Sequence, residues 1–583
     1  MCYCINALTP LYLPPRHGLG KEEVETLIRE RRAPRVLRSM AECSYVQLEE
    51  SITCVRSYPY RSFDGSCNNL DHTLWGRTSR AFARYLAPDY GDGYSSPRLA
   101  KSGQPLPSAR DVSLSIHDDV SQPSHVHTRL HMAFGQFMDH DMVKTASAKL
   151  IADDGSKVDP TCGGPDEGGC ATDGPENEEC FPISLNPGDE DFGHLDCLSF
   201  VRSQGGTTDD CAGPRQQLNQ ITSVIDASNV YGSDEAHANS LRDLGTGRLL
   251  YRANPTNPGG QNLLPAFDDS ACTTTPAEPC IVAGDGRANE QVGLTALHTL
   301  FFRMHNALVD DRTALNPQWD GEKLYQEARR IVGATLQVIV YQEYLPVVLG
   351  PTYMDTYNLT LRRFKNHDNT LSVDAPNVFA AAAFRFGHSQ LGDNGPGPDI
   401  AALSIQRGRD HGLPGYNAWR EFCGLPKANR FSDLADTISS QTVRDKLEQL
   451  YEDVDDIDLY AGAMSETSVS GGIVGPTFAC IQAKHFRNLK YGDRFWHERG
   501  NRYTGFSREQ LAEIRKITLA RVICDNLDNV QTIQKRVFMQ PLSVALQDAS
   551  ETEAAAITAL YDGETNDRVN CSDIPQMDLT PWQ

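Results

Sequence analysis

Apolar side chains recur every three to four positions along seven stretches: Thr128 to Lys144, Gln291 to Asp311, Lys323 to Val340, Val378 to His388, Gln441 to Tyr451, Pro476 to Leu489 and Arg508 to Val522. That spacing gathers them on one face of a 3.6-residue turn, so each stretch predicts a helix. Two-residue alternation is scarce and no repeat period emerges, so strands are expected to be few and short. From Asp153 to Pro214, Gly, Pro, Asp and Cys crowd together, which predicts a long loop region. Near the start, Val24, Leu27 and Ile28 stand at helical spacing within Lys21 to Arg32, and a basic run from Arg29 to Arg38 is interrupted by Pro34. That run reads as a solvated helix and linker before it reads as a nucleic-acid patch. Residues 1–53 are expected to be an extension or propeptide, and 54–583 one large, mainly α domain.

Composition narrows the classes. At about 150 residues per domain, 583 residues suggest three or four units, but the unbroken succession of helical stretches favours one. The longest apolar run, Val378 to Phe384, falls far short of the roughly 18 residues of a bilayer span, so no membrane span is expected. A net charge of −23, from 77 acidic and 54 basic side chains, repels a phosphate backbone and excludes nucleic acid as the expected partner. The 16 cysteines include close groups, Cys54/Cys67, Cys162/Cys170/Cys180 and Cys272/Cys280, set in Gly/Pro-rich loops. Without paired CxxC knuckles, these read as disulfide staples and not as zinc ligands, and oxidised loops imply a secretory route. The sequons Asn358-Leu359-Thr360 and Asn570-Cys571-Ser572 agree with that route. Met1 to Pro15 lacks a basic n-region and is broken by prolines, so it does not resemble a signal peptide.

Five segments carry unusual chemistry. In Phe134-Gly135-Gln136-Phe137-Met138-Asp139-His140-Asp141, helical spacing places Gln136, Asp139 and His140 on one face and Asp141 elsewhere. Alone, the bland reading of a core histidine with solvated acids is preferred. Thr222-Ser223-Val224-Ile225-Asp226-Ala227-Ser228 alternates oxygen-bearing side chains, which suits a hard cation, although alternating Thr and Ser are commonly just a loop. Arg287-Ala288-Asn289-Glu290 precedes a helix whose His298 and His305 share a face among Leu and Phe; both read as packed residues, since a zinc-hydrolase pair is spaced i, i+4. The last two are Phe384-Arg385-Phe386-Gly387-His388 and Gln406 to Arg420, which contains Arg409-Asp410-His411-Gly412 and Pro414-Gly415-Tyr416-Asn417.

In this order, and with Tyr60 to Asn69 ahead of them, the five segments resemble the animal haem peroxidase family from about Tyr58 to Cys571. The resemblance implies a mostly helical fold around haem b, disulfide-stapled and secreted, with one structural calcium ion. It implies that His140 is the distal histidine with Gln136 beside the halide site, and that Arg287 is the distal arginine. His388 would be the iron ligand and Asn417 its hydrogen-bond partner. Asp139 and Glu290 would form ester links to the haem, and Arg385 and Arg420 would hold its propionates. Asp141, Thr222, Val224 through its carbonyl, Asp226 and Ser228 would bind calcium. Some members carry a methionine where Gln291 stands, so a sulfonium link to the haem is not expected.

The expected activity is reduction of hydrogen peroxide with oxidation of a halide, thiocyanate or a phenol such as tyrosine, free or in a protein, through a strongly oxidising ferryl state. In that chemistry a distal histidine moves the peroxide proton, a fixed arginine steadies the developing charge, and a hydrogen bond behind the iron ligand sets its tautomer. Two departures stand out. The interval from Ser389 to Ile400, rich in Gly and Pro, is several tens of residues shorter than the resemblance implies, and Val143 replaces an acidic residue. The alternative reading is therefore an extracellular adhesion or matrix protein that retains the fold with weakened catalysis, although no RGD tripeptide occurs.

Overall fold

Five of the seven periodic stretches each form one continuous helix, and two break. The computed structural model describes residues 52–583 apart from 118–123, 152–156, 163–177, 207–212, 256, 258–259, 268–278, 363, 365, 392–398 and 548. The expected extension up to residue 51 and the centre of the short interval after His388 therefore lie outside the described residues. Helix α1 spans Arg129–Met142, and α2 is a single turn, Ser228–Tyr231. Helix α3, Val292–Leu315, starts where the Gln291 side chain accepts the Gly293 N–H at 2.8 Å. Helix α4, Gly321–Ile339, starts where Asp320 accepts the Lys323 N–H at 2.8 Å. Both caps satisfy donors that the first helical turn leaves unpaired.

Helix α4 runs on through a π turn, Val340–Tyr344, into Leu345–Thr356, with a kink at Gly350. Gly350 has φ +67°, and a Cβ there would lie 2.4 Å from the Ser470 carbonyl, so the bend needs glycine. By length and composition Gly321–Thr356 is apolar enough to cross a bilayer, although polar side chains interrupt every apolar run within it. Most of that run is buried inside the protein.

The Val378 to His388 stretch splits into helix α5, Asn377–Ala381, and a 3-10 segment, Ala383–Gln390, with Ala382 in a non-helical conformation between them. Two side chains take up carbonyls at the break: Arg385 Nε donates to Ala380 O at 2.9 Å and Gln482 Nε2 to Ala383 O at 2.9 Å. Helices α6 (Ile400–Asp410), α7 (Tyr416–Phe422), α8 (Gln441–Leu450) and α9 (Pro476–Gly492) follow. The Arg508 to Val522 stretch is two helices, α10 (Arg508–Ile514) and α11 (Leu519–Asn526), because Thr518 caps a new start by accepting the Arg521 N–H at 3.2 Å.

Helices α3 and α4 pack together, and α1 and α11 lie on α3. Phe137 of α1 stacks on Phe301 of α3 at 5.2 Å, and Phe134 meets Phe538 at 5.1 Å. Each such buried ring contributes about 1.5–3 kcal/mol. The described strands are short and antiparallel; the largest sheet joins Arg80–Ala81, Gln216–Asn219 and Gly205–Gly206, with Gln216–Asn219 in the centre. Disulfides link Cys54–Cys67, Cys162–Cys180, Cys423–Cys480 and Cys524–Cys571, and Cys197 and Cys280 are also disulfide-bonded. The first of these pairs was anticipated from spacing. The last two tie α7 to α9 and α11 to the C-terminal tail.

Candidate active site

Helix α1 turns Phe134, Phe137, Met138 and Asp141 fully inward, while Gln136 and Asp139 keep part of their surface and His140 is buried. Arg287 sits on the 3-10 turn Gly286–Asn289, which Asp285 caps by accepting the Arg287 N–H at 2.8 Å. The same carboxylate clamps the guanidinium, accepting from Nε at 2.8 Å and from Nη2 at 2.9 Å, and Nη2 also donates to Val143 O at 3.0 Å. Glu290 then comes to 3.7 Å from His140 Nε2 and accepts Gln136 Nε2 at 2.9 Å, while Gln291 donates to Gln136 Oε1 at 3.1 Å. Arg287 Nη1 stands 3.9 Å from Asp139 Oδ2. Gln136, Asp139, His140, Arg287 and Glu290 thus form one cluster. Asp285, which holds it together, was not anticipated, although an Asp two residues before an Arg at a turn is a recognisable cap.

The electrostatics follow from burial. Desolvation, then the nearby Arg287 charge, pulls the His140 imidazole well below its ordinary range, so it is neutral. Burial pushes Asp139 up to about 6 against the pull of Arg287 and Arg385, and raises Glu290 as well. Asp285 goes the other way: burial would raise it, but Arg287, His140 and Lys144 hold it below the usual carboxylate range. His140 Nδ1 and both ring nitrogens of His298 are buried without a partner, and His298 stands edge-on to Phe137 at 5.0 Å. His305 is satisfied by Tyr231 and Gly247, and both histidines are packed as expected.

On the other side, Arg385 and His388 lie on the 3-10 segment Ala383–Gln390, which packs against α1. Arg385 acts on Asp139 and Arg287, which joins this side to the cluster around His140, and burial brings its own pKa down to about 10. His388 is held down to about 3 by burial and then by Arg385, so it too is neutral. Its Nδ1 lies 3.0 Å from Ser404 Oγ, and that hydroxyl donates to Ile400 O at 2.8 Å. The serine proton is therefore committed, Ser404 accepts from Nδ1–H, and Nε2 keeps its lone pair.

The expected partner, Asn417, is elsewhere. Its amide donates to Ala428 O at 2.8 Å and Asp455 Oδ1 at 2.6 Å and accepts the Ala428 N–H at 2.9 Å, while His388 Nδ1 meets Ser404 instead. Arg420 is likewise committed, to Asp436, Thr437, Tyr416 and Pro426 O, and has no donor left for a propionate. Of the two arginines expected there, Arg385, whose Nε alone is engaged, keeps its terminal nitrogens for that role.

The oxygen-bearing turn Thr222 to Ser228 closes on the end of α1. Asp141 accepts the Asp226 and Ala227 N–H groups at 3.2 Å each and the Ser228 hydroxyl at 3.2 Å. Thr222 Oγ1 donates to Asp226 Oδ1 at 3.0 Å, Val224 is buried in the same turn, and Ala227 takes φ +64°. Both carboxylates are buried: desolvation raises both, the Asp226 charge raises Asp141 further, and Asp226 Oδ2 has no partner. Two adjoining carboxyls, one with a bare oxygen, form an oxygen-only donor set that suits a hard divalent cation.

Comparisons with known proteins bear on the family and the fold. The family model described as animal haem peroxidase matches residues 60–396 and 392–538. Human myeloperoxidase is 32% identical over 94% of this chain and 80% of its own length. Mouse peroxidasin homolog is 35% identical over 90% of this chain but only 39% of its own length, so the chain spans about two fifths of that relative. Among solved structures, peroxidase A from Dictyostelium discoideum shares the fold with a TM-score of 0.67 at 23% identity, over 82% of this chain and 99% of that one.

Proposed function

This chain belongs to the animal haem peroxidase family, and from that premise we propose that it reduces hydrogen peroxide and oxidises a small reductant at the cluster between His140 and His388. The observation that carries the reading is the pairing of a neutral His140 beside a clamped Arg287 with a His388 whose Nδ1 is engaged and whose Nε2 is free. These residues fit a haem b: His388 would ligate the iron, Arg385 would meet a propionate, and Asp139 and Glu290 carry raised, partly exposed carboxyls suited to ester links. Bound there, haem would supply the iron that takes the peroxide and passes on its two oxidising equivalents.

The chain's own residues do the rest. Neutral His140 takes the proton of the inner peroxide oxygen and returns it to the outer one, which leaves as water. Arg287 cannot swing away, because Asp285 and Val143 O hold it, so its charge is already in place as the O–O bond weakens. Gln136 keeps Glu290 turned toward His140. Asp141 and Asp226 would hold calcium with Thr222, Ser228 and the Val224 carbonyl, fixing the end of α1 next to His140. The disulfides support a secretory route, and the reductant classes are halide, thiocyanate or a phenol.

A second reading, a fold-retaining protein of weak turnover, rests on the family match arriving as two stretches that meet at 392–396. The ultraviolet-visible spectrum of the purified chain separates the two. A Soret band that shifts on adding peroxide, with guaiacol oxidation lost in His140→Ala, supports the peroxidase. Colourless protein after haem supplementation refutes it. Acid-acetone extraction after turnover tests the esters, since quantitative release of haem would exclude them.

A further inference from the structure

Arg312, in the last turn of α3, is completely buried, and its Nε, Nη1 and Nη2 all lack an acceptor. A guanidinium has five N–H donors, cannot shed its charge, and is among the costliest groups to enclose unpaired. Its neighbours are aromatic: the charge lies 5.2 Å from the Trp582 ring and 5.6 Å from the Trp319 ring. Indole faces attract the cation but accept no conventional hydrogen bond, so they stabilise the charge and leave the donors unmet. Trp582 Nε1 is a further buried donor without an acceptor. The carboxylate whose charge acts on Arg312, Glu327, is engaged elsewhere, taking Lys323 Nζ and Tyr60 OH at 2.8 Å each and facing Arg330 at 3.8 Å. Three cations, Arg312, Lys323 and Arg330, thus surround one acid in a chain of net charge −23.

We propose that Arg312, with the Trp582 N–H and between the Trp319 and Trp582 rings, binds a small inorganic monoanion of the halide class. Donors without acceptors and an uncompensated positive charge define the ligand's sign. Complete burial limits its size, which excludes carboxylates, phosphates and nucleotides. A water molecule would accept two of the donors and leave the charge, whereas a halide ion meets both. Asn316 Nδ2 donates to Trp582 O at 3.1 Å, which fixes the Trp582 wall from the residue just beyond α3. The site ties the C-terminal segment to α3, on elements that carry none of the candidate catalytic groups, and does not depend on the peroxidase reading.

The test uses the full chain and bromide. Crystals grown in bromide should give an anomalous peak within hydrogen-bond distance of the Arg312 guanidinium. The wild-type Tm should rise saturably when bromide replaces gluconate at constant ionic strength. Arg312→Leu should lose that response while keeping its absorption spectrum, and Trp582→Phe, which keeps the ring but removes the donor, should weaken bromide about tenfold or more. Ordered water in place of the peak, bromide bound only elsewhere, or an Arg312→Leu variant as responsive as the wild type would overturn the proposal. If Arg312→Leu does not fold, the anomalous map of the wild type decides alone.

Discussion

If His388 ligates the iron as proposed, it is tuned by the atom behind it, which is a serine oxygen. Ser404 donates its own proton to Ile400 O, so it is a weak, neutral acceptor for His388 Nδ1–H, unlike a carboxylate. Ser404→Asp is expected to raise the ferrous iron–histidine stretching frequency in resonance Raman and lower the reduction potential; Ser404→Ala should shift both the other way. Asn417→Ala should leave both unchanged while costing about 1–3 kcal/mol of stability, because it strips partners from Ala428 and Asp455. The first assignment is lost if Asn417→Ala moves the stretch and Ser404→Ala does not. Asp285 acts on the other side of the site. Asp285→Asn loses the charge and one acceptor of the clamp on Arg287, and stopped-flow mixing with peroxide should show a fall of about 10² in the second-order rate constant. What was legible at this scale was local: Gln136, Asp139 and His140 follow from one helix, and Arg287 and Glu290 from one turn. The Ser404 pairing was not, because it depends on how the chain returns after His388, which residue spacing does not specify.

Helices were legible wherever periodicity and caps agreed, as at Gln291 and Ser440, whose side chains accept the Gly293 and Val443 N–H groups at the head of an apolar stripe. The breaks were not. The alanines from Ala380 to Ala383 have the best helix propensity of any residue, yet the helix stops among them because Arg385 and Gln482 reach the carbonyls that a continuous helix would have used. Thr518 is a cap signal concealed within an apolar run. The union of α1 with the turn before α2 belongs to the same scale, since Asp141 and Asp226 come from elements far apart in sequence and repel each other when both are ionised. If calcium resolves that repulsion, chelation should lower the calorimetric Tm before it alters the Soret band. A metal held at a hundred times its Kd contributes about 2.7 kcal/mol. Dialysed, undenatured protein that contains no calcium by metal analysis, with a Tm indifferent to chelator, would rule the site out.

Across the whole molecule, distant segments are joined by buried arginine–aspartate pairs: Arg202 with Asp410 at 2.7 Å, Arg409 with Asp458 at 2.6 Å and Arg61 with Asp493 at 2.5 Å. Burial alone would raise these carboxyls, but the arginines outweigh it and hold all three below the usual range. The unfolded chain therefore binds protons first as pH falls. The stabilisation is complete above about pH 5 and is lost progressively below about pH 4, so acid unfolding should steepen there, and Asp410→Asn should cost about 3–5 kcal/mol at neutral pH by leaving Arg202 unpaired. A flat Tm between pH 6 and pH 3 would contradict this. If haem binds as proposed, the side that carries His388 is expected to be the weak part of the same body. The alignment with mouse peroxidasin homolog runs over 613 positions, more than the 583 residues of this chain, so that relative carries residues absent here. His388 is only half-buried, Leu391 is 39% exposed, and a cavity of about 70 Å³ lies beside them among Phe386, Gln390, Met464, Ile473 and Phe478. Each large apolar side chain left uncovered forfeits about 1.5–3 kcal/mol, and several together rival the 5–15 kcal/mol that hold a domain folded. We therefore expect this chain to hold haem loosely and turn over slowly despite a complete distal cluster. Inserting a helical segment of family length between Leu391 and Pro398 should raise both haem stoichiometry, measured as the pyridine haemochrome, and guaiacol turnover. Equal haem content and equal turnover in the two forms would show that the short interval costs the protein nothing.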